Sequence, residues 1–198
     1  MTAKIKLNAA SGGGSFSLQA PSSSSNNRVF TIPDVADGTI ATTATAGKIL
    51  QVIQGSTSSE ITTSSTTYVD SGLSQAITTT GSNKVLVIIN QQFRVFRNSS
   101  QALGGFRLMR GSTAIEQGPN AGSENAPFGI GVINTSSDNH LYGRHVQTYL
   151  DTPSAGTHTY KTQMALTTDL NSATMRAQYN SSNGANGTSF IILMEVSA

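Results

Sequence analysis

The chain has 198 residues, which suits one domain or one domain with an appendage. Charged residues make up only 11% and the net charge is +2, too small an excess to argue for a nucleic-acid partner. Cysteine is absent, which excludes a disulfide framework and a thiolate metal site. Lys4 and Lys6 are followed by no hydrophobic run. We therefore expect neither a signal peptide nor a membrane span, and folding in a cytoplasm.

The first 46 residues combine short alternating runs with Gly- and Ser-rich linkers. Apolar and polar residues alternate in three runs, 4–7, 15–19 and 28–32, as in half-buried strands. Each run puts two apolar residues on one face, and two per strand cannot stabilise an isolated sheet. We therefore predict an extended attachment arm that is ordered by sister chains or by a larger assembly. Its candidate contact residues are Ile5, Leu7, Phe16, Leu18, Val29, Phe30 and Ile32.

From residue 47 onward the pattern predicts strand after strand and no helix. The predicted strands are 48–54, 60–62, 67–70, 73–79, 84–96, 105–110, 114–117, 129–133, 140–151, 157–166, 173–179 and 188–196. A turn is predicted at Ser71-Gly72, and a hairpin turn at Gly111–Thr113. Many short strands at this spacing are typical of a sandwich or a jelly roll. The sequence thus predicts an all-β protein with a single β-sandwich body over residues 47–198.

Two runs are apolar at both parities, Val85–Ile89 and Phe190–Met194. Such a run is covered on both faces, so it lies centrally in a sheet or faces an interface. Together the two runs supply more hydrophobic surface than one thin sandwich needs, which predicts self-association. The candidate interface residues are Val85, Val87, Ile89, Phe190, Ile192 and Met194.

Catalytic and metal-binding patterns are not found in the sequence. His140 and His145 have opposite parity on one predicted strand, and His158 could pair with one of them across a hairpin. Neither a His-x-His pair nor a carboxylate cluster supports a metal site there. Nucleophile-elbow and paired-carboxylate patterns are also missing. We expect no enzymatic activity and no cofactor.

A series of short motifs occurs in order along the chain. They are Gly47–Val52, Asn83–Val87, Phe106–Thr113, Tyr149–Pro153 and Thr159–Lys161 in the body, and Ser17–Pro21, Thr31–Asp34 and Asp37–Thr39 in the arm. This series resembles a domain of structural proteins of tailed phages, particularly of cyanophages and other marine phages.

The resemblance implies a virion protein, made in the cytoplasm of the bacterial host, with a jelly-roll-like body. It also implies a homotrimer similar to the trimeric heads of tumour necrosis factor-like folds. Fibre families usually carry a longer shaft or a tail-binding domain. We therefore expect a compact capsid-surface decoration, cement or short head-fibre protein whose arm binds the major capsid protein. The alternative is a receptor-binding module of a tail fibre that contacts host surface glycans. Neither function involves a nucleic acid or a membrane.

Two polar features have alternative interpretations. Arg94, Arg97, Arg107 and Arg110 are interleaved with phenylalanines. They form an anion-binding face, or they form ion pairs between subunits, for example with Glu116 or Glu124, or their stems pack on the sheet. The anion could belong to a glycan acid, to lipopolysaccharide or to an acidic patch of the capsid. The Asn-rich segment 180–187 is either a glycan-binding loop or a plain surface loop. The tyrosines of the body lie within or at the ends of strands, where we expect most of them to pack.

Overall fold

The computed structural model describes residues 4–8, 11–19, 25, 49–97, 102–116, 128–132, 139–167, 173–180 and 187–197. For residues 4, 16–19, 128–132 and 139 it describes the backbone alone. The chain divides into two compact units, Met1–Thr45 and Ala46–Ala198.

The N-terminal unit contains an antiparallel hairpin of β1 (Lys4–Asn8) and β2 (Ser15–Gln19). Gly12 and Gly13, between the two strands, have positive φ angles, a conformation that glycine adopts without steric cost. Ile5 and Leu7 on β1 are 64% and 58% exposed. In register they lie opposite Leu18 and Phe16 of β2. The third predicted strand of the arm, with Val29, Phe30 and Ile32, lies outside the described residues.

The body is all-β, which confirms the predicted class: it has two antiparallel sheets, consistent with a β-sandwich, and no helix among the described residues. The described part of the chain therefore contains no helix that could span a bilayer. The strands are β3 (Ile49–Thr57), β4 (Ile61–Thr63), β5 (Val69–Thr79), β6 (Lys84–Arg97), β7 (Ala102–Arg110), β8 (Thr113–Glu116), β9 (Phe128–Val132), β10 (Asn139–Asp151), β11 (Gly156–Leu166), β12 (Thr174–Ala177) and β13 (Ser189–Val196).

The six-stranded sheet is organised around β6. One edge of β6 pairs with β10 along almost its whole length. The other edge pairs first with β13 and then with β12, which continue to β3 and β4 respectively. The second sheet has the order β5-β11-β7-β8, with β9 also paired to β7. The predicted hairpin between β7 and β8 is confirmed, with Gly111 at φ +59° in its turn.

Two hydrophobic clusters fill the space between the sheets. The Ile89 cluster comprises Leu73, Ile77, Val85, Val87, Ile89, Leu108, Tyr160, Ile191 and Leu193. The Phe93 cluster comprises Phe93, Val95, Ala102, Phe106, Met164, Leu166, Ala173, Met175 and Ala177.

A polar layer of Ser71, Gln91 and Thr162 separates the two clusters. Gln91 follows Ile89 and precedes Phe93 on the core side of β6, and Thr162 lies between Tyr160 and Met164 on β11. All three polar side chains are fully buried. Gln91 donates to the Ser71 hydroxyl at 2.7 Å and accepts from the Thr162 hydroxyl at 2.6 Å. The layer therefore satisfies its own polar groups inside the core.

The predicted turn at Ser71-Gly72 is wrong, because β5 runs straight through it. The register places Ser71–Leu73 opposite Thr162 alone, which is a β-bulge. Gly72 has φ +82°, so a glycine is suited to the bulge as much as to a turn. The local sequence predicts a break in the strand. However, β5 pairs with β11 both before and after the bulge, so the strand continues through it.

Candidate binding surfaces on the six-stranded sheet

The outer face of the six-stranded sheet is the side turned away from the core. Along β6 the odd-numbered side chains from Val85 to Arg97 are buried and the even-numbered ones from Leu86 to Phe96 are half-buried. This alternation follows from the period of two in a strand. The even-numbered side chains of β6, β10 and β13 therefore point to the outer face.

One half of this outer face is hydrophobic, and we call it the apolar half. Val52, Met194, Leu86 and Leu150 lie in register across four strands. Exposure of Val52 is 54%, of Leu150 52% and of Val146 65%, all high for aliphatic side chains. The apolar half comprises Leu50, Val52, Leu86, Ile88, Val146, Leu150, Phe190, Ile192 and Met194.

The six predicted interface residues are divided between the two sides of the sheet. Phe190, Ile192 and Met194 lie in the apolar half and are half-buried. In contrast, Val85, Val87 and Ile89 are 0% exposed in the Ile89 cluster, so they offer no surface to another chain. On β6 the aliphatic side chains that reach the outer face are instead Leu86 and Ile88, because they have the opposite parity. A strand that is apolar at both parities gives no sign of which set faces the core.

The other half of the outer face carries arginines and aromatic rings, and we call it the cationic half. In register across three strands lie Arg176, Arg94 and Tyr142, and next to them Thr174, Phe96 and His140. Tyr142 is 52% exposed. The half comprises Gln92, Arg94, Phe96, His140, Tyr142, Arg144, Arg176 and Tyr179.

Arg94 is the centre of the cationic half. Its guanidinium carbon lies 4.5 Å from the Tyr179 ring, 5.3 Å from the Phe96 ring and 5.8 Å from the Tyr142 ring. Its Nε and Nη2 donate to Nδ1 of His140 at 2.9 and 2.5 Å. Because arginine is always protonated, Nδ1 of His140 must be the acceptor, so the imidazole is neutral in this arrangement.

The cations of this half differ in how they are compensated. Arg176 forms an ion pair with Glu60 at 2.9 Å. Arg144 donates to the Asn90 side chain at 2.9 Å and to the Thr188 carbonyl at 3.1 Å. Arg94 has no carboxylate within ion-pair distance among the described residues. Arg94 and Arg144 therefore both retain a positive charge without an anionic partner in the described part of the chain.

The four arginines singled out in the sequence do not share one face. Arg97 has the parity of Val95 and is buried. Arg107 lies on the outside of the other sheet, 3.7 Å from the Tyr68 ring and bonded to Gln163. Arg110 forms an ion pair with Asp151 at 2.7 Å within the chain. Only Arg94 lies on the cationic half, and Glu124 lies outside the described residues.

The three histidines lie apart, and the predicted opposite parity on β10 is confirmed. His140 is on the outer face, whereas His145 is inward with its ring 5.2 Å from that of Phe106. Burial lowers the pKa of His145. His158 is in the other sheet, 2.7 Å from the Ser154 carbonyl, so it does not pair with β10. The described residues contain no group of three side chains able to hold a metal.

The sequence interpretation missed the aromatic platform of the cationic half. We expected most tyrosines of the body to pack, and Tyr160 is indeed fully buried. Tyr142 and Tyr179 instead meet on the outer face with their rings 5.5 Å apart. Tyr142 and His140 are two residues apart on one strand, and this spacing indicates that they lie on the same face. Tyr179 lies two residues after the end of β12, and nothing local indicates its neighbours.

No protein-family profile matches the sequence, and no curated protein matches it.

Proposed function

We propose that this protein is a homotrimeric structural component of a tailed-phage virion, a decoration, cement or short head-fibre protein of the capsid surface. The observation that carries the proposal is the apolar half. Monomeric proteins rarely expose a contiguous patch of aliphatic residues on one face. A second and a third copy of the chain would remove these side chains from water.

The strand order supports a jelly-roll body. If eight strands, β3, β5, β6, β7, β9, β10, β11 and β13, are counted from one to eight, the first pairs with the eighth, the second with the seventh, the third with the sixth and the fourth with the fifth. All four pairs are antiparallel, as in one long hairpin wrapped into two sheets. Such pairing is typical of the jelly roll that many virion proteins use, and it supports that fold for the body.

The hairpin of the arm supports attachment to a larger body. Ile5 and Leu7 are more than half exposed on a two-stranded hairpin, which is marginal by itself. Three arms per trimer would multiply a weak contact through their effective concentration. The proposed partner is the major capsid protein, and the proposed location is the outer surface of the virion.

The test uses the full chain and particles that lack it. The Ile5→Asp/Leu7→Asp variant should remain trimeric in solution but should no longer bind the particles. The control is Lys6→Ser, an exposed residue between them, which should bind like the wild type. Binding of the double variant at full occupancy, or a wild-type mass of one chain by light scattering, would contradict the proposal. A copy number that scales with capsid area would separate a capsid protein from a tail fibre.

A second candidate function is a receptor-binding module that contacts glycans of the host surface. The specific observation in its favour is the open aromatic surface of the cationic half, which the first function does not use. Binding of the purified protein to cells of the phage's host, without binding to particles, would support this second function over the first.

A further inference from the structure

We propose that the cationic half binds an acidic sugar, with the sugar ring on the aromatic rings and its carboxylate at Arg94. The inference rests on the second candidate function and names its ligand class. Four aromatic rings, which we call the floor, line the site. His140 lies 4.9 Å from Phe96 and 5.8 Å from Tyr142, and Tyr142 lies 5.5 Å from Tyr179. The rings come from β6, β10 and the residues just after β12, so regular strands hold three of them.

An aromatic floor suits a sugar ring. The face of an aromatic ring carries partial negative charge, and the C–H groups on one side of a pyranose carry partial positive charge. Tyr142 is 52% exposed and its hydroxyl has no hydrogen-bond partner among the described residues. The phenol is thus available for a sugar hydroxyl at the edge of the floor.

Arg94 adds the selection for an acid. His140 holds its Nε and Nη2, which leaves Nη1 without an acceptor among the described residues. The guanidinium is thus kept over the rings by His140 and by three aromatic contacts. A fixed arginine with an unused N–H group donates a charge-assisted hydrogen bond to a carboxylate.

The number of available charges argues against a polyanion. Arg176 is engaged by Glu60, and Arg144 by Asn90 and the Thr188 carbonyl. A nucleic acid strand needs a row of cations along its phosphates as well as stacking rings. Arg94 and Arg144 have no carboxylate partner among the described residues, and two arginines do not form such a row. Arg94 lies against the Phe96 and Tyr142 rings, which matches a ligand with one carboxylate for each sugar ring.

The experiment measures binding of simple glycosides to the full-length protein by NMR titration. The acidic probes are methyl β-D-glucuronide and the methyl α-glycoside of N-acetylneuraminic acid, and the neutral probe is methyl β-D-glucoside. For a single sugar we expect a Kd of about 1 mM. At least one acidic probe should bind about tenfold more tightly than the neutral one, because of the hydrogen bond to Arg94. Acetate should bind more weakly than that acidic probe, since it has no ring to stack.

Three variants assign the roles. Arg94→Gln should remove the preference for the acidic probe, and Tyr142→Ala should weaken acidic and neutral probes alike. Arg107→Gln is the matched control, because Arg107 also lies over a tyrosine ring but on the opposite sheet, and it should bind like the wild type. Equal binding of acidic and neutral probes, or an Arg94→Gln variant with unchanged preference, would overturn the inference. A loss of trimer mass in Arg94→Gln without any sugar effect would instead make the site a contact between copies.

The inference and the receptor function can fail separately. If the wild type and Arg94→Gln bind host cells equally, the receptor function stands and the acidic-sugar site is wrong. If the acidic probe binds through Arg94 but the protein does not bind host cells, the site stands and the receptor function is wrong.

Discussion

The apolar half and the cationic half are built from the same long strands, yet their side chains differ completely. Leu86 and Arg94 both point outward from β6, and Leu150 and Tyr142 both point outward from β10. The core changes at the same level, because the polar layer at Gln91 separates the Ile89 cluster from the Phe93 cluster. Pairing of β6 with β10 is continuous across this boundary, whereas the other edge of β6 changes its partner from β13 to β12 there. One sheet can therefore present two surfaces with different partners, divided by side-chain chemistry and by this change of strand.

The largest expected effect distinguishes the two sides of β13 beneath the apolar half. Ile191→Asp places a charge in the Ile89 cluster and should unfold the protein, at a cost of more than about 4 kcal/mol. Ile192→Asp, one residue on, places the charge on the outer face and should leave a folded monomer. Circular dichroism and light scattering report the two outcomes. Thr174→Asp in the outer row beside the cationic half is the control and should stay trimeric. A trimeric Ile192→Asp variant would mean that the apolar half is not the interface.

The second prediction concerns the boundary between the two halves of the core. Gln91→Ala removes the amide that bonds to both hydroxyls of the polar layer, and it creates a cavity. The Ser71 and Thr162 hydroxyls keep each other, and Ser71 keeps the Leu73 backbone N–H. We expect a loss of about 3 kcal/mol in the free energy of unfolding, measured with urea. Thr148→Ala, on the exposed side of β10, should change it by less than about 0.5 kcal/mol. Equal effects of the two substitutions would show that the layer contributes nothing.

The third prediction concerns the Ile89 side of the core alone. Tyr160 is fully buried and donates to Asp151 at 2.7 Å. Burial and the Asp151 carboxylate raise the pKa of its phenol, so the hydroxyl stays protonated. Tyr160→Phe should cost about 1.5 kcal/mol in urea unfolding, because Arg110 remains as a partner of Asp151. Tyr142→Phe on the outer face is the control, and it should have no measurable effect on stability.

The smallest expected effect is a difference in acid sensitivity between the two ends of the body. Burial holds the pKa of His145 below its usual 6.5, so the unfolded chain binds the extra proton first. The stability contributed by neutral His145 is complete above pH 6.5 and is lost as the pH falls below that value. His145→Phe should flatten the curve of stability against pH between about pH 7 and pH 5.

Glu195, at the other end of the body, should respond in a lower pH window. The Thr80 backbone N–H and the side chains of Asn83 and Gln51 donate to its carboxylate and hold its pKa below the usual 4.5. Its contribution is therefore present above pH 4.5 and is lost as the pH falls further. Glu195→Gln should reduce the loss of stability below pH 4.5 and leave the His145 window unchanged. A single titration window that both variants abolish would contradict this separation.

Sequence pattern predicted the strands well and their environment less well. Period-two alternation is local, so it found β5 to β7 and β10 to β13 within a few residues. The face of β6 that enters the core could not be predicted, because Val85–Ile89 is apolar at both parities. Clustering of Arg94 with His140 and Tyr179 depends on which strands are neighbours, and that order is set by pairing between distant segments. The bulge at Gly72 was mistaken for a turn for the same reason.

Because the first and last strands of the body pair with each other, the six-stranded sheet cannot be completed until the C-terminal strand has been synthesised. At roughly 10 residues per second on the ribosome, β3 waits more than about 10 s for β13. During that interval Val52 has no Met194 beside it, and Leu86 lacks its neighbour on that side. Contacts of such sequence separation make folding slow. Assembly of the proposed trimer through the apolar half would therefore wait for β13, and until then the nascent chain is the form most exposed to aggregation.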